Sequence, residues 1–184
     1  MVIIMILHTD RLIIREYTHE DFEYLHEILS DKETMKHYPH PFSEEETKAW
    51  IQRNIDRYAK YGFGLWAVEL KENGQFIGDC GITMQNIHGE MLPEIGYHIN
   101  KIYQRQGYAS EAACECIRYA FEQLNFPIVY SYMKYTNEPS AQTALKNGMQ
   151  FVEEFDDPVN TITKVFAITK EQWEETISAE NFTM

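Results

Sequence analysis

The segment Gln104-Arg105-Gln106-Gly107-Tyr108-Ala109-Ser110 places a glycine and a fixed cation immediately before a helix, a combination suited to holding an anion. From Gly107 onward, Ala109, Ala112, Ala113, Cys116, Ile117, Ala120, Phe121 and Leu124 recur at three and four, the repeat of one helix face. The residues just upstream, Leu92 to Ile99, read as a strand. The chain therefore offers a strand, a short loop, and a helix start with unpaired N–H groups and a partial positive charge. A phosphate would fit there, with Arg105 adding charge. The same spacing also describes an ordinary strand-to-helix turn with glycine chosen for its backbone freedom. Spacing alone leaves both readings open.

The elements that would position this loop follow from periodicity. Met1 to Leu7 is apolar but lacks a basic leader region and a small-residue cleavage site, so it reads as a first strand rather than a signal peptide. Arg11 to Glu16 is a short strand. Thr18 caps a helix whose buried face is Phe22, Leu25 and Leu29. A loop spans Asp31 to Pro41, and Ser43 with Glu46 forms a capping box opening a helix with Trp50, Ile51, Ile55 and Tyr58 on one side. The period then changes. Phe63–Leu70 and Phe76–Met84 are strands joined through Asn73-Gly74, a hairpin signal, and Met91–Ile99 completes a meander. After the glycine-loop helix, Ile128–Tyr135 is a strand. Asn137 caps a further helix, with Pro139 in its first turn, Ala141, Ala144 and Leu145 as its apolar face, and Gly148 as a left-handed terminator. Met149–Phe155 and Thr161–Ile168 make a final hairpin before a short helix, Lys170–Ile177, and a tail. The order predicts an α/β fold with a mixed sheet, in which the strand–helix–strand unit around Gly107 is a parallel crossover. Ligands bind such sheets at the carboxyl ends of strands where the order switches.

Gross composition narrows the class. A chain of 184 residues suits a single domain, and 44% hydrophobic content supplies a core. No apolar run reaches the roughly 18–20 residues that span a membrane. Cys80, Cys114 and Cys116 have no paired or metal-ligand spacing, which suits a reducing cytoplasm. A formal charge of −13 argues against direct nucleic-acid contact and suits a cationic substrate, although acidity also serves solubility.

At this point the residues resemble a family. The element order is similar to that of the GNAT N-acetyltransferases. Gln104 to Ala109 matches that family's acetyl-coenzyme-A signature, Gln/Arg-x-x-Gly-x-Gly/Ala. Thr9-Asp-Arg-Leu-Ile-Ile-Arg15 resembles the first-strand motif of the ribosomal-protein N-acetyltransferase (RimJ/RimL-type) branch, as does Glu94-Ile-Gly-Tyr97 before the loop. Asn137-Glu-Pro-Ser140, continuing to Lys146-Asn-Gly148-Met149, is similar to its Asn-x-x-Ser…Lys-x-Gly-Phe pattern, with Met149 in place of the aromatic. The resemblance runs from about residue 9 to 170 and implies one domain over 1–184, a largely antiparallel sheet with a splayed parallel pair flanked by helices, and acetyl-CoA as cofactor. It implies that Gln104, Arg105, Gln106, Gly107, Tyr108, Ala109 and Ser110 hold the diphosphate, and that Ile99 and Asn137 hold the pantetheine arm, which would lie like an extra strand.

The implied reaction is attack of an amine on a thioester. Deprotonating an α-amine of pKa near 8 costs about 1.4 kcal/mol at pH 7, a lysine about 4.6. A protein or peptide N-terminus, or a small amine, then needs only a modest base, such as a carboxylate acting through water. Glu94 is the candidate, sharing a face with Gly96 and His98 by strand alternation unless a bulge intervenes. His98 is its rival, and a purely positioning Glu94 is the plain alternative. The resemblance implies that Ser140 protonates or hydrogen-bonds the departing thiolate, while first-turn helix hydrogen bonding is its plain alternative. Tyr130, Tyr132 and Tyr135 are other phenols, unranked from sequence, and a backbone N–H near Tyr97–Ile99 would hold the oxyanion. Trp66 reads as core. The Lys36–Pro41 loop, the helix from Ser43 and Asp156-Asp157-Pro158 would wall the acceptor groove. Acetylation of an antibiotic or amino acid analogue, and a non-catalytic acyl-CoA sensor, are the competing functions. Oligomeric state, including a homodimer, stays open.

Overall fold

The computed structural model describes residues 4–181. Its strands are β1 (Met5–His8), β2 (Leu12–Arg15), β3 (Leu65–Leu70), β4 (Phe76–Ile87), β5 (Glu90–Ile99), β6 (Ile128–Lys134), β7 (Gln150–Asp157) and β8 (Thr161–Thr169). Its helices are α1 (Phe22–Leu29), α2 (Glu44–Tyr61), α3 (Tyr108–Glu122), α4 (Glu138–Lys146) and α5 (Lys170–Asn181). One sheet contains every strand in the order β1-β2-β3-β4-β5-β6-β8-β7. Every neighbouring pair is antiparallel except β5–β6, so the expected mixed sheet with one parallel pair is present. Of the apolar opening, residues 1–3 lie outside the described residues, and the strand begins at Met5.

Local chemistry accounts for the boundaries. Ser43 accepts from the Glu46 N–H at 3.2 Å and Glu46 accepts from the Ser43 N–H at 2.8 Å, the reciprocal cap that starts α2. Thr18 caps a 3-10 turn, His19–Asp21, that leads into α1, and Asp21 accepts from the Thr18 N–H at 2.7 Å. Its carboxylate takes both Nη atoms of the buried Arg15, at 2.9 and 2.6 Å, and Glu69 takes the same guanidinium from β3. The hairpin between β4 and β5 is longer than the sequence pattern indicates. It turns on His88 (φ 50°) and Gly89 (φ 92°), both left-handed, a two-residue connection without the usual Asn-Gly signature. Leu145 on α4 is exposed, not part of the apolar face, which is Ala141 and Ala144 alone.

The sheet has two working sides. On one, α3 packs Ala112, Ala113, Cys116, Ile117, Ala120 and Phe121 into the core, with the Cys116 Sγ 3.6 Å from the Cys80 Sγ of β4. Trp66 is fully buried there, its ring edge-on to Tyr119 of α3. On the other side Gly64 faces Tyr58 and Asn54 of α2, and Gly81 of β4 and Gly96 of β5 continue across the sheet, with Leu65↔Gly81 and Gly81↔Gly96 in register. Asn54 of α2 accepts from the Leu65 N–H at 3.0 Å, and the Tyr58 hydroxyl donates to the Leu65 carbonyl. Backbone approach is what the row provides: a Cβ on Gly81 would lie 2.1 Å from the Gly64 carbonyl oxygen. Gly81→Ala is therefore expected to destabilise the fold by about 1–3 kcal/mol, read as a lower denaturant midpoint at unchanged m-value.

Candidate active site

The glycine loop is braced from the far end of the chain. After a 3-10 turn at Lys101–Tyr103, Arg105 (φ 60°) and Gly107 (φ 86°) both take left-handed backbone and turn the chain into α3. Gly107 occupies the N-cap position without a capping side chain, so the first-turn N–H groups at Tyr108, Ala109 and Ser110 face outward without an intrahelical acceptor. Arg11, from the turn between β1 and β2, donates to the Gln106 carbonyl at 3.0 Å, pairs with Glu111 at 2.6 Å and lies over the Tyr108 ring at 4.4 Å. Gln104 turns back to donate to the Ile99 carbonyl at 2.9 Å, tying the loop to the end of β5. A cleft of about 370 Å³ beside the loop is lined by Arg11, Gln106, Gly107, Ser110, Glu111, Cys114, Lys146 and Asn147. The Lys146-Asn147 segment singled out in the sequence thus meets the glycine loop in space. A larger depression of about 450 Å³ lies at the exit of β5, walled by Glu27, Asp31 and Lys101, and includes neither Glu94 nor Ser140.

β5 and β6 part company. Glu94↔Tyr130 is their single register pair, so residues 95–99 have no strand partner on the β6 side. At the parting point, Glu94 is buried and accepts from the Thr83 hydroxyl at 3.0 Å. No bulge interrupts β5, so Glu94, Gly96 and His98 share the α2 face. Both Glu94 oxygens lie 3.1 Å from where a Gly96 Cβ would sit, so the carboxylate leans over that glycine toward His98. Burial raises the Glu94 carboxyl to about 7, against the opposing pull of Thr83, His98 and Arg57.

His98 is held as tightly. Its Nδ1 lies 2.8 Å from Asp79 Oδ1, and its backbone N–H donates to the same oxygen at 2.9 Å. Asp79 Oδ2 accepts from the Tyr17 hydroxyl at 2.8 Å and the Trp50 indole at 3.3 Å. Of the three phenols on or after β6, Tyr132 is the one on the Glu94 face that feels its charge; burial first, then Glu94, pushes its hydroxyl up to about 12. The Lys36–Pro41 loop contributes Tyr38, whose ring lies 5.2 Å from that of His98.

On the opposite, α3 side, the Tyr97 hydroxyl lies 3.0 Å from the Ser140 hydroxyl and 3.1 Å from the Ser140 carbonyl. Asn137 caps α4 by accepting from the Ser140 N–H at 3.3 Å. Tyr97 was not among the phenols singled out from sequence; alternation could have placed it opposite Glu94, but nothing in the chain pairs it with a serine 43 residues on. Asp79 was missed as well, although a lone acid inside an apolar strand is a signal of a buried polar contact. For Arg11 the pattern carried no signal of its contact with the loop.

Glu94 thus stands at the point where β5 leaves β6, and Tyr97, on the opposite face of β5, reaches Ser140. The acetyltransferase (GNAT) domain family matches residues 11–150, which includes every element of that gap. The chain belongs to the GNAT acetyltransferase family. It is an acetyl-CoA-dependent acetyltransferase, and the left-handed Gly107, the uncapped α3 start and the unpaired edge of β5 are a fit for that cofactor. Among relatives, YnaD of Bacillus subtilis (strain 168), named an uncharacterized N-acetyltransferase, is 34% identical over 79% of this chain and 83% of its own. The FsC-acetyl coenzyme A-N(2)-transacetylase of Aspergillus fumigatus is 31% identical over 91% of this chain and 77% of its own. A GNAT-family acetyltransferase structure from Bacillus anthracis superposes with a TM-score of 0.77 at 28% identity, covering 92% of this chain and 99% of that one. The RimL ribosomal-protein acetyltransferase solved with coenzyme A shares the fold, with a TM-score of 0.75 at 16% identity, covering 90% of this chain and 97% of its own.

Gly107→Glu adds a side chain at φ 86°, with its Cβ 3.3 Å from Arg11 Nη2, and an anion where phosphate would bind. Calorimetry is expected to show loss of coenzyme A binding while thermal unfolding remains cooperative; unchanged affinity would remove the loop from the cofactor site.

Proposed function

We propose that this chain acetylates a primary amine of near-neutral pKa, a protein or peptide N-terminus as in the RimJ/RimL-type branch or a small α-amine, with Glu94 as the base and Ser140 as the acid. One observation carries the reading: a buried carboxyl, held by Thr83, sits where β5 and β6 separate, and burial raises it toward about 7. A group titrating there accepts a proton at pH 7 and releases it again without a large barrier. Bound acetyl-CoA supplies a thioester-activated acetyl group. Glu94 takes the proton that the acceptor ammonium must lose, directly or through water held with Thr83. The Ser140 hydroxyl, tied to Tyr97, holds a proton for the leaving sulfur. Gln104 to Ser110 hold the diphosphate, with Lys146 beside them, and Ile99 and Asn137 border the path of the pantetheine arm. The second reading draws on the Aspergillus relative, which is named an FsC-acetyl coenzyme A-N(2)-transacetylase.

Glu94→Gln tests the assignment in a thiol-release assay over α-amine peptides and small amines. Turnover is expected to fall by roughly 10²-fold with little change in coenzyme A affinity. With rates expressed per neutral amine, the wild-type rate rises with pH through about 7 and then levels, and the variant lacks that step. A variant of wild-type rate and profile would remove Glu94 from the chemistry. Stability supplies a second readout. The folded carboxyl holds its proton above the usual value of 4.5, so the folded state binds more protons and stability declines as pH rises from about 4.5 to 7. Glu94→Gln is expected to match wild type near pH 4 and to exceed it at pH 8 by on the order of 3 kcal/mol.

A further inference from the structure

Taking the acetyl transfer above as given, we propose that Arg57 of α2, supported by Arg53, binds a carboxylate on the acceptor, so that the preferred substrate carries an acidic group within a few bonds of its amine.

The chain has six arginines. Arg11, Arg15 and Arg118 each pair with carboxylates, and Arg105 stands in the diphosphate loop. Arg53 and Arg57 remain, one turn apart on α2. Neither forms an ion pair among the described residues, although acidic side chains outnumber Lys and Arg by 29 to 16. Like charges at this spacing repel, so the free protein is less stable for carrying them. Burial first, then the Arg53 charge, draws Arg57 below its ordinary value, while Glu94 pulls the other way.

Arg57 is half-buried, and Asn54 holds it in place. Its Nη1 donates to Asn54 Oδ1 at 3.2 Å, the same oxygen that accepts from the Leu65 N–H at 3.0 Å. That anchors the guanidinium beside the start of β3 and uses one of its five N–H groups. The other four have no acceptor among the described residues, and neither Nε nor Nη2 is sealed from solvent. Arg53 is exposed and lies over the Trp50 ring at 5.3 Å.

The two arginines belong to the helix on the Glu94 side of the sheet. Leu65 of β3 pairs with Gly81 of β4; two residues further along β4, Thr83 pairs with Glu94 and donates to its carboxylate at 3.0 Å. Arg57 and Glu94 each move the other's proton affinity, yet they form no ion pair. An acceptor with both an ammonium and a carboxylate bridges such a separated pair, its ammonium toward Glu94 and its carboxylate on Arg57. The planar guanidinium fork matches a carboxylate with two parallel N–H···O bonds. Glu94 on the same side, and a formal charge of −13, favour a singly charged carboxylate over a doubly charged phosphate. The ammonium still gives its proton to Glu94. The acceptor carboxylate keeps its charge throughout, so Arg57 binds and orients without exchanging a proton.

The experiment measures acetyl transfer to matched acceptors that differ only in the acid: a peptide beginning with Asp against the same peptide beginning with Asn, and free alanine against alaninamide. Rates are expressed per neutral amine. Wild type is expected to favour the acid of at least one pair by about 10- to 100-fold in kcat/KM, mostly through KM. The pair that shows the preference tells whether the carboxylate comes from a side chain or from the α-carboxyl group. Arg57→Gln is expected to bring that ratio close to one, Arg57→Lys to restore part of it, and Arg53→Gln to reduce it several-fold. Coenzyme A affinity is expected to be the same in all three variants. Should Arg57→Gln fold poorly, the wild-type ratio and the exposed Arg53→Gln still decide. A wild type without preference for the acid in either pair would overturn the proposal. So would an Arg57→Gln that slows acid and amide acceptors equally, because Arg57 would then act on Glu94 alone. Calorimetry on the coenzyme A complex separates the two readings. An acid acceptor that binds, loses binding in Arg57→Gln and is never acetylated upholds the carboxylate site and removes the acceptor chemistry proposed for Glu94.

Discussion

Everything in this site depends on two parallel strands that stop pairing. A sheet interior normally satisfies each backbone N–H and carbonyl with its neighbour. Here β5 and β6 meet at Glu94↔Tyr130 and then diverge, leaving a stretch of strand edge inside the molecule. Such an edge is tolerable only where another chain-like group can occupy it, and an amide-bearing pantetheine is one. The gap also divides the chemistry by side. Alternation along β5 sends Glu94 and His98 toward α2 and sends Tyr97 toward Ser140 on α4.

The acceptor side combines close packing with a carboxyl denied water. Gly64 lets Tyr58 and Asn54 of α2 approach the sheet, and Gly96 leaves room for the Glu94 carboxylate, which is buried. Its proton affinity therefore follows from packing: burial supplies the shift and the neighbouring Thr83, His98 and Arg57 limit it. Asp79 has the opposite task. With its oxygens taken up by His98, Tyr17 and Trp50, it orients a ring.

Sequence patterns resolved most of the architecture, and the reasons are physical. The three-and-four repeat after Gly107 and the Asn73-Gly74 turn are local signals, and both elements lie where their residues place them. The β4–β5 turn was hidden because His88-Gly89 carries no habitual turn chemistry, so both strands extend past their readable ends. Glu94 and Ser140 were legible through family likeness and Gly107 through backbone freedom, whereas Asp79, Tyr97 and Arg11 act through contacts distant in sequence. Leu145 shows the reverse error: an apolar residue at helical spacing that the fold leaves in solvent.

Arg11 carries a consequence for how the molecule assembles. It reaches the Gln106 carbonyl across 95 residues of chain and pairs with Glu111 in the first turn of α3. The phosphate cradle is thus not a property of its own segment. Its backbone is held by Arg11 of the β1–β2 turn, so the shape of the candidate site depends on the first hairpin as well as on α3. The proposed grip on the cofactor thus links the first hairpin to the middle of the chain.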